Sequence, residues 1–195
     1  IRLAGTIGGN IANGSPIGDS PPWLIAAGAT LQLAHRDGRR ALPLEDFFIT
    51  YGEQDRRPGE IVEAVTIPEP TADARLFCYK IAKRFDQDIS AVCAGIRLRR
   101  DGARITEARI AFGGMAATPK RAAHAEAALT GAPFSEASFR RAMAALTEDF
   151  EPISDMRASA AYRLKVAQNL LLKAYVESSE SPSLQLAGRR EPVHV

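Results

Sequence analysis

Thr6-Ile7-Gly8-Gly9-Asn10-Ile11-Ala12-Asn13-Gly14-Ser15-Pro16-Ile17-Gly18-Asp19-Ser20-Pro21-Pro22 concentrates glycine, proline, hydroxyl and amide side chains in one run without a positive charge. Glycine enters φ > 0 and lets backbone approach a ligand closely. Gly8-Gly9 therefore reads as a tight turn on which several N–H groups converge toward an anion. Asn10, Asn13 and Ser15 add short side chains that bond locally or to a bound polar group. Asp19 supplies one carboxylate, an acceptor suited to ribose-type hydroxyls. A lone Gly-Gly-Asn also fits an ordinary turn with an Asn/Ser cap; the length of the run is what singles it out.

Outward from this run, Ser20-Pro21-Pro22 opens a helix, because proline fits a first turn where its missing N–H is not needed. Trp23-Leu24-Ile25-Ala26-Ala27 continues the helix and Gly28 ends it. Ala29 to His35 reads as a strand with Leu31 and Leu33 on one face. Asp37-Gly38 marks a hairpin turn, and Arg40 to Leu44 returns as the partner strand. Phe47, Phe48 and Tyr51 anchor the next loop, which carries the polar run Glu53 to Gly59. Glu60 to Pro68 is a further strand, with Ile61, Val65 and Ile67 expected to point inward.

Arg75 to Lys83 reads as another strand. Ile89 to Arg99 and Arg104 to Phe112 form the clearest hairpin, joined by Asp101-Gly102. Ile96 and Leu98 alternate with Arg97 and Arg99, while Ala108, Ile110 and Phe112 alternate with Glu107 and Arg109. That period of two predicts one buried and one wet face. From Thr118 the pattern turns helical. Thr118 caps, Pro119 takes the first helical position, and an alanine-rich run extends to Leu129 before Gly131 stops it. Ser135 caps a second helix with Phe139, Met143, Leu146 and Phe150 on one face. A third runs from Asp155 or Ser159 to Val176, with Tyr162, Val166 and Leu170 in line and Leu164, Leu171 and Tyr175 widening the stripe. Residues 178–195 carry no periodicity and read as a flexible tail or linker.

The balance of 25 basic and 23 acidic residues leaves a net charge of +2, which offers no electrostatic basis for binding nucleic acid. No apolar run reaches the roughly 20 residues that cross a membrane, and no secretory signal pattern is present. Cys78 and Cys93 have neither metal-ligand nor disulfide-framework spacing, and their apolar, strand-like settings suit small buried hydrophobes. A reducing cytoplasm fits this usage. His35, His124 and His194 are scattered, no Ser–His–Asp order stands out, and no residue pattern identifies a protein catalyst.

The opening run resembles the FAD-binding module of the molybdenum hydroxylases, most closely the flavin-carrying small subunit of bacterial xanthine dehydrogenase. In that family a Thr/Ser-x-Gly-Gly-Asn turn followed by Ser-Pro-Ile-x-Asp wraps part of the flavin. Three later stretches extend the resemblance over nearly the whole chain: Phe112-Gly113-Gly114-Met115, Thr118-Pro119-x-Arg121 with Glu126, and Asp155-Met156-Arg157-x-Ser159-x-x-Tyr162-Arg163. Taken as residues, these are turn, cap and salt-bridge chemistry. The resemblance implies an α+β fold: the second half of an FAD-binding (PCMH-type) domain over residues 1–70, then an antiparallel sheet with a three-helix C-terminal domain over residues 74–177.

It also implies that Thr6, Ile7, Gly8, Gly9 and Asn10 line the cofactor, with Asn13 beside them and Asp19 in contact. Val62 matches an apolar flavin contact, although an ordinary strand residue fits it equally. Lys80 matches a lysine that approaches the flavin, where a positive charge stabilises the electron-rich reduced state. In the loop after Lys80, Phe85 and Gln87 depart from the acidic residues of the animal enzymes. FAD is the cofactor implied for this segment, with molybdenum cofactor and 2Fe-2S clusters in partner domains or subunits and NAD as electron acceptor. Flavin enzymes leave redox chemistry to the cofactor, which suits a chain without a catalyst of its own. Two other functions stay open: a flavoprotein of a related hydroxylase acting on carbon monoxide, an aldehyde or an aromatic, and a non-catalytic assembly domain. The chain opens on Ile1-Arg2-Leu3 against the glycine run, which reads as a piece of a longer polypeptide whose missing wall would leave FAD weakly held.

Overall fold

In the computed structural model of the protein, which describes residues 5–179, the glycine run is helical rather than a turn. Helix α1 spans Ile7–Ala12, and the Thr6 hydroxyl caps it by accepting from the Gly9 N–H at 2.9 Å. A Cβ on Gly8 would lie 3.3 Å from both Cγ1 and the carbonyl oxygen of Val62. The missing side chain thus lets α1 pack on the strand that carries Val62. Ile11, fully buried, pins the helix to the core.

Helix α2, Ser20–Ala27, follows with Pro21 and Pro22 in its first turn and Gly28 at φ 79° ending it. Most of its residues are buried, including Leu24, Ile25, Ala26 and Ala27. A helix apolar on all sides must be covered on all sides, and α2 lies between two sheets. The first is antiparallel, ordered β2-β1-β5, with β1 at Thr30–His35, β2 at Gly38–Pro43 and β5 at Ile61–Thr66. A 3-10 turn at Leu44–Phe47 and a small separate hairpin of β3 (Phe48–Thr50) and β4 (Glu53–Gln54) come between β2 and β5 along the chain. Leu31, Leu33, Leu44 and Phe47 join Ile11, Leu24 and Ile25 in one core. Ile61 and Ile67 are exposed, contrary to their expected inward set, while Val62 and Val65 pack on this core. A register shift between Gln32 and Leu33 in the β1–β5 pairing breaks the simple alternation.

The second sheet is ordered β6-β7-β8-β9, with β6 at Ala74–Ile81, β7 at Val92–Asp101, β8 at Arg104–Gly113 and β9 at Lys120–Arg121. Helices α3 (Ala123–Leu129), α4 (Glu136–Asp149) and α5 (Ala160–Ser179) cover one face. Ile96, Leu98, Ile110, Phe112, Phe139, Leu146 and Leu171 fill the core between them. The expected Thr118-Pro119 helix start is displaced: residues 120–121 pair with β8 instead. Asp149 then caps α3, its carboxylate accepting from the His124 and Ala125 N–H groups at 2.9 and 3.0 Å. Helix α5 also runs on through Ser178 and Ser179, past the tail start expected at residue 178; the rest of that segment lies outside the described residues. Cys93 is buried as expected, but Cys78 is exposed on the edge strand β6.

The face of β7–β8 expected to be wet instead receives α2. Arg97 donates to the Ala27 carbonyl at 2.8 Å, and Arg109 donates to the Ile25 carbonyl at 2.9 Å while pairing with Glu45 at 2.7 Å. Two guanidinium groups thus satisfy the end of α2, where a helix carries unpaired carbonyls and partial negative charge. Alternation marked these arginines as off the main core, but not that a helix would lie on them.

Candidate functional site

The first turn of α1 opens onto a cavity of about 530 Å³ lined by Thr6, Ile7, Gly8, Gly9 and Ala12 on one side and by Arg56 and Glu60–Val65 on the other. The first N–H groups of a helix have no partner within it. Here the Gly9 N–H is taken by Thr6, and those of Ile7 and Gly8 have no hydrogen-bond partner among the described residues. The opposite wall is held from behind: Arg40 forks onto Glu60 at 2.7 and 2.8 Å and reaches Asp55 at 2.8 Å.

Asp19 and Lys80, 61 residues apart in the chain, meet as an ion pair at 2.5 Å. The other Asp19 oxygen accepts from the Ser90 hydroxyl, and the Cys93 thiol lies 3.5 Å from the Asp19 carbonyl. Burial and the neighbouring Asp19 push the Cys93 thiol up to about 12, so it remains protonated. Ser20 donates to the Asn10 side chain, tying α1 to α2, and Asn13 forms the C-cap of α1 through its backbone. Of the expected site residues, Thr6, Ile7, Gly8, Gly9 and Val62 line one cavity, Asp19 and Lys80 form a second cluster, and Asn10 and Asn13 serve the helix itself.

A second cavity, about 440 Å³, lies where Ser15-Pro16-Ile17 and Tyr51 face Gly114–Ala117 and the segment Glu151 to Arg163. Arg163 anchors it from within, its guanidinium donating to the Gly114 carbonyl at 3.0 Å, to Asp155 at 2.7 Å and to the Ala91 carbonyl. Its Nε has no partner among the described residues. Arg157 meets Asp155 only at 3.8 Å and keeps donors to spare. Sequence reading placed apolar residues along α5 and missed this buried arginine, although Asp155 and Arg163 both stood in a motif read as salt-bridge chemistry.

Both cavities rest on carboxylates held low. Hydrogen bonds from Arg40 outweigh burial and bring Glu60 down to about 2. Burial raises Asp155, but N–H bonds from Ala158 and Arg157 and the Arg163 guanidinium bring it to about 2. A group whose folded pKa lies below its unfolded value stabilises the fold above the unfolded value and loses that contribution as pH falls. Thermal stability is therefore expected to drop between about pH 4.5 and 2, the window set by Glu60. Glu60→Gln should flatten part of this drop in a pH series of melting curves; a curve as steep as the parent's would contradict the assignment.

This α+β fold matches the second half of an FAD-binding domain followed by an antiparallel sheet and three-helix C-terminal domain. Residues 1–70 match the family described as FAD binding domain in molybdopterin dehydrogenase, and residues 77–178 match the CO dehydrogenase flavoprotein C-terminal domain. The chain belongs to the FAD-binding flavoproteins of the molybdenum hydroxylase family. It is 32% identical to the carbon monoxide dehydrogenase medium chain of Afipia carboxidovorans, over 89% of this chain and 60% of that one. It is 31% identical to the xanthine dehydrogenase FAD-binding subunit of Escherichia coli O157:H7, over 91% of this chain and 61% of that subunit. Among solved structures, carbon monoxide dehydrogenase from Hydrogenophaga pseudoflava superposes with a TM-score of 0.83 at 30% identity, covering 88% of this chain and 60% of that one. The chain thus spans about three fifths of the length of these relatives.

Proposed function

We propose that the chain is the FAD-carrying segment of a xanthine dehydrogenase, taking electrons from 2Fe-2S clusters and passing them to NAD during purine oxidation at a molybdenum cofactor held by a partner. The observation that carries the flavin assignment is the cavity of about 530 Å³ at the glycine-headed start of α1. The N–H groups of Ile7 and Gly8 at its edge suit the approach of a phosphate-bearing ligand. Ile7 and Gly8 would hold the anionic part, Thr6 would keep the helix start in place, and Val62 would supply an apolar wall. Lys80 would set positive charge beside the ring, with Asp19 as acceptor for a hydroxyl. Bound FAD would supply the ability to collect electrons and release them as hydride; this chain's residues bind, orient and bias it. The NAD assignment draws on the second cavity, where Arg157 offers donors beside apolar walls of Ile17, Met115 and Ile153.

A second substrate class, carbon monoxide or an aldehyde, is favoured by comparable identity to the carbon monoxide dehydrogenase medium chain and to the glyceraldehyde dehydrogenase medium chain of Sulfolobus acidocaldarius, at 32% and 30%. Assaying the intact complex on xanthine, carbon monoxide and glyceraldehyde, with NAD as acceptor, separates these. Flavin content tests the shared core. A Cβ on Gly9 would sit 2.9 Å from Thr6 Oγ1 and disturb the cap. Losing a cap of about 1–2 kcal/mol corresponds to roughly tenfold weaker binding, so Gly9→Val should yield soluble complex depleted of FAD. Full occupancy in that variant would remove α1 from the site, and a parent complex that releases no flavin would favour an assembly role.

A further inference from the structure

Asp19 stands at the N-cap of α2 yet makes no capping bond. A capping carboxylate accepts from the N–H of the second or third helical residue. In α2 those residues are Pro21 and Pro22, which have no N–H to give. The two prolines thereby release the carboxylate from its own helix, and it turns outward to two partners. One oxygen accepts from the hydroxyl of Ser90, a residue 1% exposed, and the other meets the Lys80 ammonium at 2.5 Å. Ser90 is held in place independently, since the next residue closes the loop by donating its N–H to the Ile81 carbonyl at 2.8 Å.

From this arrangement we propose that Ser90 is a positioning residue, which fixes the Asp19 carboxylate and through it the Lys80 ammonium beside the flavin. The inference rests on the FAD assignment above. Lys80 lies on an edge strand and is about half exposed, as is Asp19. An exposed ion pair contributes little, no more than the rotamer entropy that immobilising a lysine costs. The pair alone therefore holds Lys80 loosely. A buried hydroxyl that locks one carboxylate oxygen removes the freedom of Asp19 and leaves its second oxygen aimed at the ammonium. Without Ser90 the half-exposed carboxylate swings into water, Lys80 wanders with it, and the positive charge spends less time at the ring.

The test compares flavin in the purified complex, at one fixed redox poise, for the parent, Ser90→Ala, Ser90→Thr, Lys80→Met and the Ser90→Ala/Lys80→Met double variant. Lys80→Met should lower the ratio of reduced to oxidised flavin, because the electron-rich state loses its cation. Ser90→Ala should lower it in the same direction by about threefold, the size of one weak electrostatic contact. Ser90→Thr should restore it, and the double variant should match Lys80→Met alone. A second readout is the acetylation rate of Lys80 followed by mass spectrometry, which should rise severalfold in Ser90→Ala and return in Ser90→Thr. A ratio and rate unchanged in Ser90→Ala, with Lys80→Met still lowering the ratio, would overturn the role of Ser90 alone. No effect of Lys80→Met would overturn both the role of Ser90 and the placement of Lys80 at the flavin.

Discussion

Gly95→Ala is expected to lower the unfolding free energy by about 3 kcal/mol, the upper range for forcing atoms into a packed interior. The added Cβ would lie 2.5 Å from both the Pro22 carbonyl oxygen and the Trp23 Cα, and 2.8 Å from the Pro22 carbonyl carbon. All three are backbone atoms of α2, so no side-chain rotation relieves the clash. Nor can the helix lift away freely. Arg97 and Arg109 grip its last carbonyls from the same sheet, and Leu24 and Ile25 are locked into the core of the first sheet. Any displacement also carries Asp19, at the head of α2, away from Lys80 and Ser90. The same variant should therefore lose flavin as well as stability. Gly102→Ala is the contrast: it has φ +55 and nothing within 4 Å, so only backbone strain of about 1–2 kcal/mol applies. Urea unfolding of the two variants checks both values. A Gly95→Ala midpoint matching the parent's would mean that α2 does not pack against this strand.

What was legible in the sequence was local. The β7–β8 hairpin follows from strict alternation about Asp101-Gly102, and α4 follows from the Ser135 cap and the spacing of Phe139 and Leu146. Gly28 and Gly131 end their segments with positive φ, as their positions suggested. The misreadings have tertiary causes. Six residues containing two glycines have poor helix propensity, so α1 exists because Thr6 caps it and Val62 and Ile11 dock it. Thr118-Pro119 is a sound local start signal, overridden by pairing of residues 120–121 with β8 and by a cap that arrives from Asp149 at the end of α4. Site residues divide in the same way. Thr6 to Gly9 are contiguous and could be read together, whereas their opposition to Val62 depends on β5 folding back. The contact of Asp19 with Lys80 joins α2 to the other sheet, and no short-range pattern encodes it. Ser90 was invisible for that reason, since one serine in a mixed-charge loop carries no signal until the loop closes over Asp19.

Replacing Arg163 with Met should destabilise the protein by about 3–5 kcal/mol, the range for removing one partner of a buried charge pair. Its side chain is 2% exposed on the core face of α5, in line with Ala167, Leu170 and Ala174. Methionine keeps much of the stem's volume, so the change isolates the guanidinium from the packing. Two acceptors would be stranded, the carbonyls of Ala91 and Gly114, and Asp155 Oδ1 would lose one of its three donors. A buried acceptor left unpaired costs about 1–3 kcal/mol. Asp155 is partly rescued by the N–H groups of Arg157 and Ala158, which places most of the loss on the two carbonyls. These carbonyls stand just before β7 and just after β8, so Arg163 fastens α5 to the end of the sheet that borders the second cavity. Arg163→Lys should recover only part of the stability, because a single ammonium lacks the planar fork that serves carbonyls and carboxylate together. Denaturant unfolding of both variants gives the comparison. A Met variant within about 1 kcal/mol of the parent, below the penalty for even one stranded buried acceptor, would show that water replaces the guanidinium and that the cavity wall stands without it.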